Sequence, residues 1–339
     1  MIKYRNLAPS LKGAVDRYYP DVGKYFWLID SDYRTAAQGW SKSDGTGPLD
    51  LLYSGRADSG YLFRTGDYSS DYLAVDAAQD AMVDFRGDTL VYTPGNYSIS
   101  TALSIDVPDA RWVGPMVADP RTARVTLTAA VANAFTTTAA ADRMEIAYFR
   151  FVPLTAASVW SAVANTDGLH FHDFYYDTNG IAASTSTIFL TGAGTTNDHF
   201  KFEKFYALTD GAQGPLLSMT GTYVDLSIED FTWDHEAGTL ATCLLLDASA
   251  GDAGGPGPVF IGSRSGYSRG NLAAGATAVK NLVALSDAGT NIQWITVNGF
   301  RASIGFCATG GLISLSGGSG NTAEAAETAE AKRKNRLFL

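Results

Sequence analysis

Leu169-His-Phe171-His-Asp-Phe174 decides how this chain is read: apolar and polar residues alternate, and a phenylalanine closes the motif two positions later. The same form returns as Met144-Glu-Ile146-Ala-Tyr-Phe149, Phe200-Lys-Phe202-Glu-Lys-Phe205, Leu226-Ser-Ile228-Glu-Asp-Phe231 and Ile295-Thr-Val297-Asn-Gly-Phe300. The first four closing phenylalanines are spaced about 25 to 31 residues apart, inside the range of solenoid repeats. The wider gap before Phe300 leaves room for a degenerate copy near Val259-Phe260-Ile261. Alternation with period two makes each copy a strand with one inward and one outward face.

A second apolar element falls between the copies. It reads Ile188-Phe189-Leu190, Leu216-Leu217-Ser-Met219, Leu244-Leu245-Leu246, Leu282-Val283-Ala-Leu285 and Leu312-Ile313-Ser-Leu315, each followed by Thr, Ser or Asp. Two strand types sharing one spacing point to a stacked architecture, because a strand this short cannot bury its inner face alone. The expected fold is all-β: a right-handed parallel β-helix over about residues 72–316. Helical and leucine-rich repeats fit poorly, since the units lack their periodicity.

Composition agrees with many short strands joined by turns. The 339 residues hold 35 glycines and are 46% hydrophobic but only 18% charged. A net charge of -10 disfavours a nucleic-acid partner, which draws on clustered Lys and Arg. Only Cys243 and Cys307 are present, so neither a disulfide framework nor a zinc cluster is expected, and nothing asks for a cofactor. No secretory leader and no membrane-spanning run is read.

Ser69 to Phe85 carries Leu73, Val75, Ala78, Met82 and Val83 on one helical face, with Gly87 beyond. A helix here would cap the open end of the stack. Residues 1–71 form an arm and leader, in which the path of 51–71 is unassigned. Residues 317–339 form a Gly-linked tail, rich in Ala and Glu and then in Lys and Arg, expected as a short helix.

Gly87-Asp-Thr-Leu-Val-Tyr-Thr-Pro-Gly-Asn-Tyr97, followed by Leu103-Ser-Ile105 and Arg111-Trp-Val-Gly114, resembles the opening turns of pectate-lyase-like β-helices of phage virions, of the head decoration, fibre or tailspike type. Gly23-Lys-Tyr-Phe-Trp-Leu-Ile-Asp30 and Gly39-Trp-Ser-Lys-Ser-Asp-Gly-Thr-Gly-Pro48 are similar to the leader that precedes the capping helix in such proteins. The resemblance implies a bacteriophage virion structural protein on the particle exterior: a homotrimeric capsid decoration protein or head fibre bound to other virion proteins. The alternative is a tailspike or tail fibre that binds or depolymerises host surface polysaccharide.

The enzyme reading rests on one outward column: Ala147, His172, Glu203, Glu229, Asn298. On consecutive repeats Glu203 and Glu229 stack about 5 Å apart, the separation of a retaining glycosidase's nucleophile and acid, with His172 one repeat away. The competing reading is a solvated face, on which His172, Glu203 and Lys201 or Lys204 break up an aggregation-prone sheet. No GxSxG, HExxH or P-loop motif adds to the enzyme side. Tyr175, Tyr206 and Trp233, with Tyr176 and Tyr267, follow the repeated strands as a carbohydrate contact, a subunit interface or core.

Overall fold

The computed structural model describes residues 23–30, 62–154, 158–178, 187–191, 196–209, 215–219 and 222–235. Beyond these it describes the strands Thr242–Leu246, Val259–Gly262, Gly266–Ser268, Asn281–Leu285, Ile295–Val297, Arg301–Ala302 and Ile313–Leu315. The expected arm before residue 23 and the tail after 315 lie outside the described residues, as do Cys307 and Gly39 to Pro48. The chain is mostly β, with one α-helix, Asp71–Asp80, among the described residues.

The strands form three sheets of 11, 8 and 8 members, and the pairings within them are parallel. Successive strands visit the sheets in turn. His170–His172 lies in the first, Tyr175–Asp177 in the second and Phe189–Thr191 in the third; Thr196–Glu203, Tyr206–Thr209 and Leu217–Met219 then pair with them in the same order. The repeated motif thus supplies the first sheet, and the second apolar element the third. The weak copy at Val259-Phe260-Ile261 is a full member, pairing with Leu226 to Ile228 before it and Ile295 to Val297 after it.

Inward residues of the three sheets meet in one apolar column. Its aromatic rings follow the strand spacing. Phe174, Phe205 and Phe231 stack in series with centroids 4.8 and 5.1 Å apart and planes within 6° and 10°. Phe171 on Phe202 and Phe135 on Trp160 repeat the arrangement at 5.2 and 4.5 Å.

The helix packs on the N-terminal end of this column through Ala74, Val75, Ala78 and Gln79. It stops at Asp80, earlier than its apolar pattern suggests, and leaves Val83 and Phe85 exposed; Phe85 takes a left-handed conformation at φ 57°. The leader strand Tyr25–Ile29 joins the first sheet, paired with Leu62–Arg64 on one side and Thr89–Tyr92 on the other. The Leu62–Arg64 strand gives a partial answer for the unassigned 51–71 stretch. Asp30 at the end of the leader strand accepts the Asn96 amide at 2.9 Å. A Cβ at residue 95 would collide with that carboxylate, which accounts for glycine in Pro94-Gly95-Asn96.

The chain turns out of the first sheet through left-handed residues, Tyr148, Asp173, Lys204 and Asp230, at φ 68°, 52°, 50° and 50°. It turns in through an equivalent column, Asp109, Arg143, Gly168, His199 and Asp225. Such conformations cost a non-glycine residue roughly 1–2 kcal/mol.

Two stability predictions follow from this packing. Phe205→Ala empties the middle of the phenylalanine stack and is expected to cost about 3–5 kcal/mol in urea unfolding. At the corner, Lys204→Gly is expected to leave stability unchanged or raise it, whereas Lys204→Val, β-branched at positive φ, loses about 1–2 kcal/mol. Equal losses for the two corner variants would contradict the backbone assignment.

Candidate functional site

The outward side chains of the first sheet form two adjacent columns set by strand register. One runs Arg111, Glu145, His170, Lys201, Ser227. The other runs Val113, Ala147, His172, Glu203, Glu229. The expected column of His172, Glu203 and Glu229 is therefore present, with Glu203 and Glu229 directly opposite on neighbouring strands. The neighbouring column of Glu145, His170 and Lys201 lies beyond the expected site residues, although period two alone places those residues, two positions earlier, on the same face.

These groups form a continuous polar strip. Arg111 grips Glu145 through two hydrogen bonds of 2.7 Å, and Glu145 also accepts from His172 Nε2 at 3.1 Å. His172 Nδ1 lies 2.8 Å from Asp173 Oδ2, and the Tyr148 ring sits edge-on to the imidazole at 5.6 Å. One column over, the ring of His170 lies 4.6 Å from that of His172, with its Nε2 3.0 Å from Glu203 Oε1. Lys201 Nζ closes the other side of Glu203 at 2.6 Å and reaches Glu229 at 4.0 Å, while Ser227 donates to Glu229 at 2.8 Å.

The environment moves the acidities in consistent directions. Glu145 is held down to about 2, chiefly by the His172 hydrogen bond and then by Arg111, against the opposing effect of burial. Burial works to raise Glu203 but is outweighed by Lys201 and His170, so its carboxyl lies below the ordinary value. A glycosidase acid needs the reverse, a carboxyl kept protonated near neutrality. The Glu203 and Glu229 pair is brought together as expected, yet Lys201 reaches both carboxylates and favours the charged form of Glu203.

The aromatic set divides. Tyr175 and Tyr206 are opposite each other on the outer face of the second sheet, rings 5.7 Å apart. Trp233 does not join them: its register partner is Ala207, its side chain is 0% exposed, and its indole donates to Thr209 at 2.9 Å. The residue opposite Tyr206 is Thr232. A shift of one residue exchanges the two faces of a strand, so Trp233, like Tyr176, is core rather than surface. Arg150 lies over Tyr175 and Arg121 over Tyr206, at 5.5 and 5.1 Å from the ring centroids. Arg150 also pairs with Asp177, and the Tyr206 hydroxyl donates to Asp234 at 2.9 Å. A guanidinium already occupies one face of each ring, leaving less room for a sugar to stack.

Among the described residues no group of three or more His, Cys, Asp and Glu side chains is arranged to hold a metal ion, and no helix is long and apolar enough to cross a membrane. No known protein family and no curated protein matches the sequence. Among solved structures, the A-module of mannuronan C-5 epimerase AlgE4 from Azotobacter vinelandii is similar over 75% of this chain and 97% of that chain, with 11% identity and a TM-score of 0.19.

The depressed Glu145 carboxyl makes a pH prediction. A group whose folded value lies below its ordinary 4.5 stabilises the fold above that value and loses the contribution as pH falls toward about 2. Glu145→Gln is expected to flatten the decline in unfolding free energy between pH 5 and pH 3. An unchanged decline would remove Glu145 from the strip's electrostatics.

Proposed function

We propose that this chain is a right-handed parallel β-helix that serves as a structural protein of a bacteriophage particle: a homotrimeric capsid decoration protein or head fibre standing on the exterior. Three parallel sheets visited in turn from Thr89–Tyr92 onward are the arrangement that one chain winding repeatedly around a common core produces. The leader residues 23–30 and the Gly87 to Tyr97 opening carry the phage resemblance.

One observation favours a structural role over a catalytic one. The titratable groups along the outward strip of the first sheet pair with one another within and across strands, and the carboxyls of Glu145 and Glu203 are drawn toward their charged forms. Such a strip holds neighbouring strands in register and keeps the sheet surface polar, which suits a rigid shaft.

Native mass spectrometry of the purified chain, together with imaging of particles that carry it, tests the proposal. A trimer located on the head is expected. A monomer, or a chain found only at the tail tip, would reverse the assignment. Cleavage of host surface glycan by the purified protein, abolished by Glu229→Gln, would replace the structural reading with the tailspike enzyme.

A further inference from the structure

We propose that His170 and His172 form a two-step proton switch on the outer face of the first sheet, in which His172 is charged at neutral pH and His170 takes its proton only in acid. Hydrogen-bond geometry carries the first half. Both ring nitrogens of His172 face carboxylate oxygens, Nε2 toward Glu145 at 3.1 Å and Nδ1 toward Asp173 at 2.8 Å. Ionised carboxylates only accept, and a neutral imidazole donates from one nitrogen alone, so satisfying both contacts requires the imidazolium. Arg111 keeps Glu145 ionised, which removes the option of that carboxyl donating instead.

His170 is held differently. Its Nε2 meets Glu203 at 3.0 Å, and among the described residues its Nδ1 forms no hydrogen bond, so one donated proton suffices. Glu203 is itself shared with Lys201, which weakens its pull on a second cation. The charged His172 ring lies 4.6 Å away on the same strand. The groups facing the pair are Arg111, Glu145 and Tyr148 on one side, Asp173 beyond its own strand, and Lys201 and Glu203 on the other, with Glu229 one strand further. Burial and the His172 charge push His170 below the ordinary histidine value. Burial also opposes charge on His172, but Glu145 and Asp173 outweigh it and raise that residue.

The two shifts act on stability with opposite signs. The contribution of His170, depressed, is present above the ordinary value and lost as pH falls through its folded value. That of His172, raised, is present below the ordinary value and lost as pH rises through its folded value. The strand His170–His172 is therefore bound most firmly between the two titrations and loosens in acid when its second ring becomes charged.

Following the ring protons of the four histidines by NMR from pH 4.5 to pH 9 tests the switch. His172 is expected to titrate above 6.5 and His170 below it. In His172→Gln the His170 midpoint is expected to move up toward the ordinary value. Amide exchange at His170 and Lys201, which bind the Met144 and Leu169 carbonyls, is expected to quicken in acid beyond the intrinsic pH effect, and His170→Gln should remove that excess. A shared midpoint, His170 protonating first, or a His170 midpoint indifferent to His172→Gln would each overturn the proposal. The wild-type titration order decides it even if a variant fails to fold.

Discussion

Strand pairing fixes one distance that everything else must match. Parallel strands lie about 4.8 Å apart, so equivalent side chains of successive repeats meet at that spacing whether or not they suit each other. Inside, flat rings suit it well: Phe174, Phe205 and Phe231 stack at 4.8 and 5.1 Å with nearly parallel planes. The main-chain ladder and the aromatic column thus reinforce each other. Neither would hold alone, because a three-residue strand such as Tyr175–Asp177 has no hairpin partner beside it in sequence and gains its neighbours only from other repeats.

The same distance is a hazard outside. Equal charges stacked in register repel, and a plain apolar face would invite further strands to add. The first sheet answers with alternation along each column and diagonally between columns. Arg111 lies opposite Glu145, and His172 lies between Glu145 and Asp173. Where two carboxylates do fall opposite, at Glu203 and Glu229, Lys201 on the adjacent column reaches both. The feature that suggested a glycosidase pair in sequence is the one like-charged step of this strip, neutralised from the side.

Much of this order is legible in the sequence, because spacing and period two are local properties. The phenylalanine-closed motif locates the first sheet, the second element locates the third, and the weak copy at Val259-Phe260-Ile261 is found from the gap alone. What stays hidden depends on exact register. Trp233 looks continuous with Tyr175 and Tyr206 until its pairing with Ala207 turns it inward. The column of Glu145, His170 and Lys201 lies four positions before the phenylalanine, one step along the same face from the residues two positions before it, and its ion pairs depend on which strands lie side by side. That Tyr25–Ile29 enters the first sheet beside Thr89–Tyr92 is a contact across more than sixty residues, which no local pattern encodes.

The corner residues show how backbone cost and side-chain gain are balanced. Glycine would adopt the left-handed turns without penalty, and Gly168 does so at φ 67°. Yet the entry column also places Asp109 and Arg143 there, and the two form an ion pair at 2.6 Å between successive repeats. At the exit, Asp173 fixes one nitrogen of His172 and Tyr148 packs its ring edge-on to the same imidazole. Glycine at either exit corner would relieve the backbone and strip a support from the charged histidine. The conformational cost persists at these positions because the side chain that incurs it also orients a neighbour on the outer face, so the turn of the chain and the charge order of the first sheet are set by the same residues.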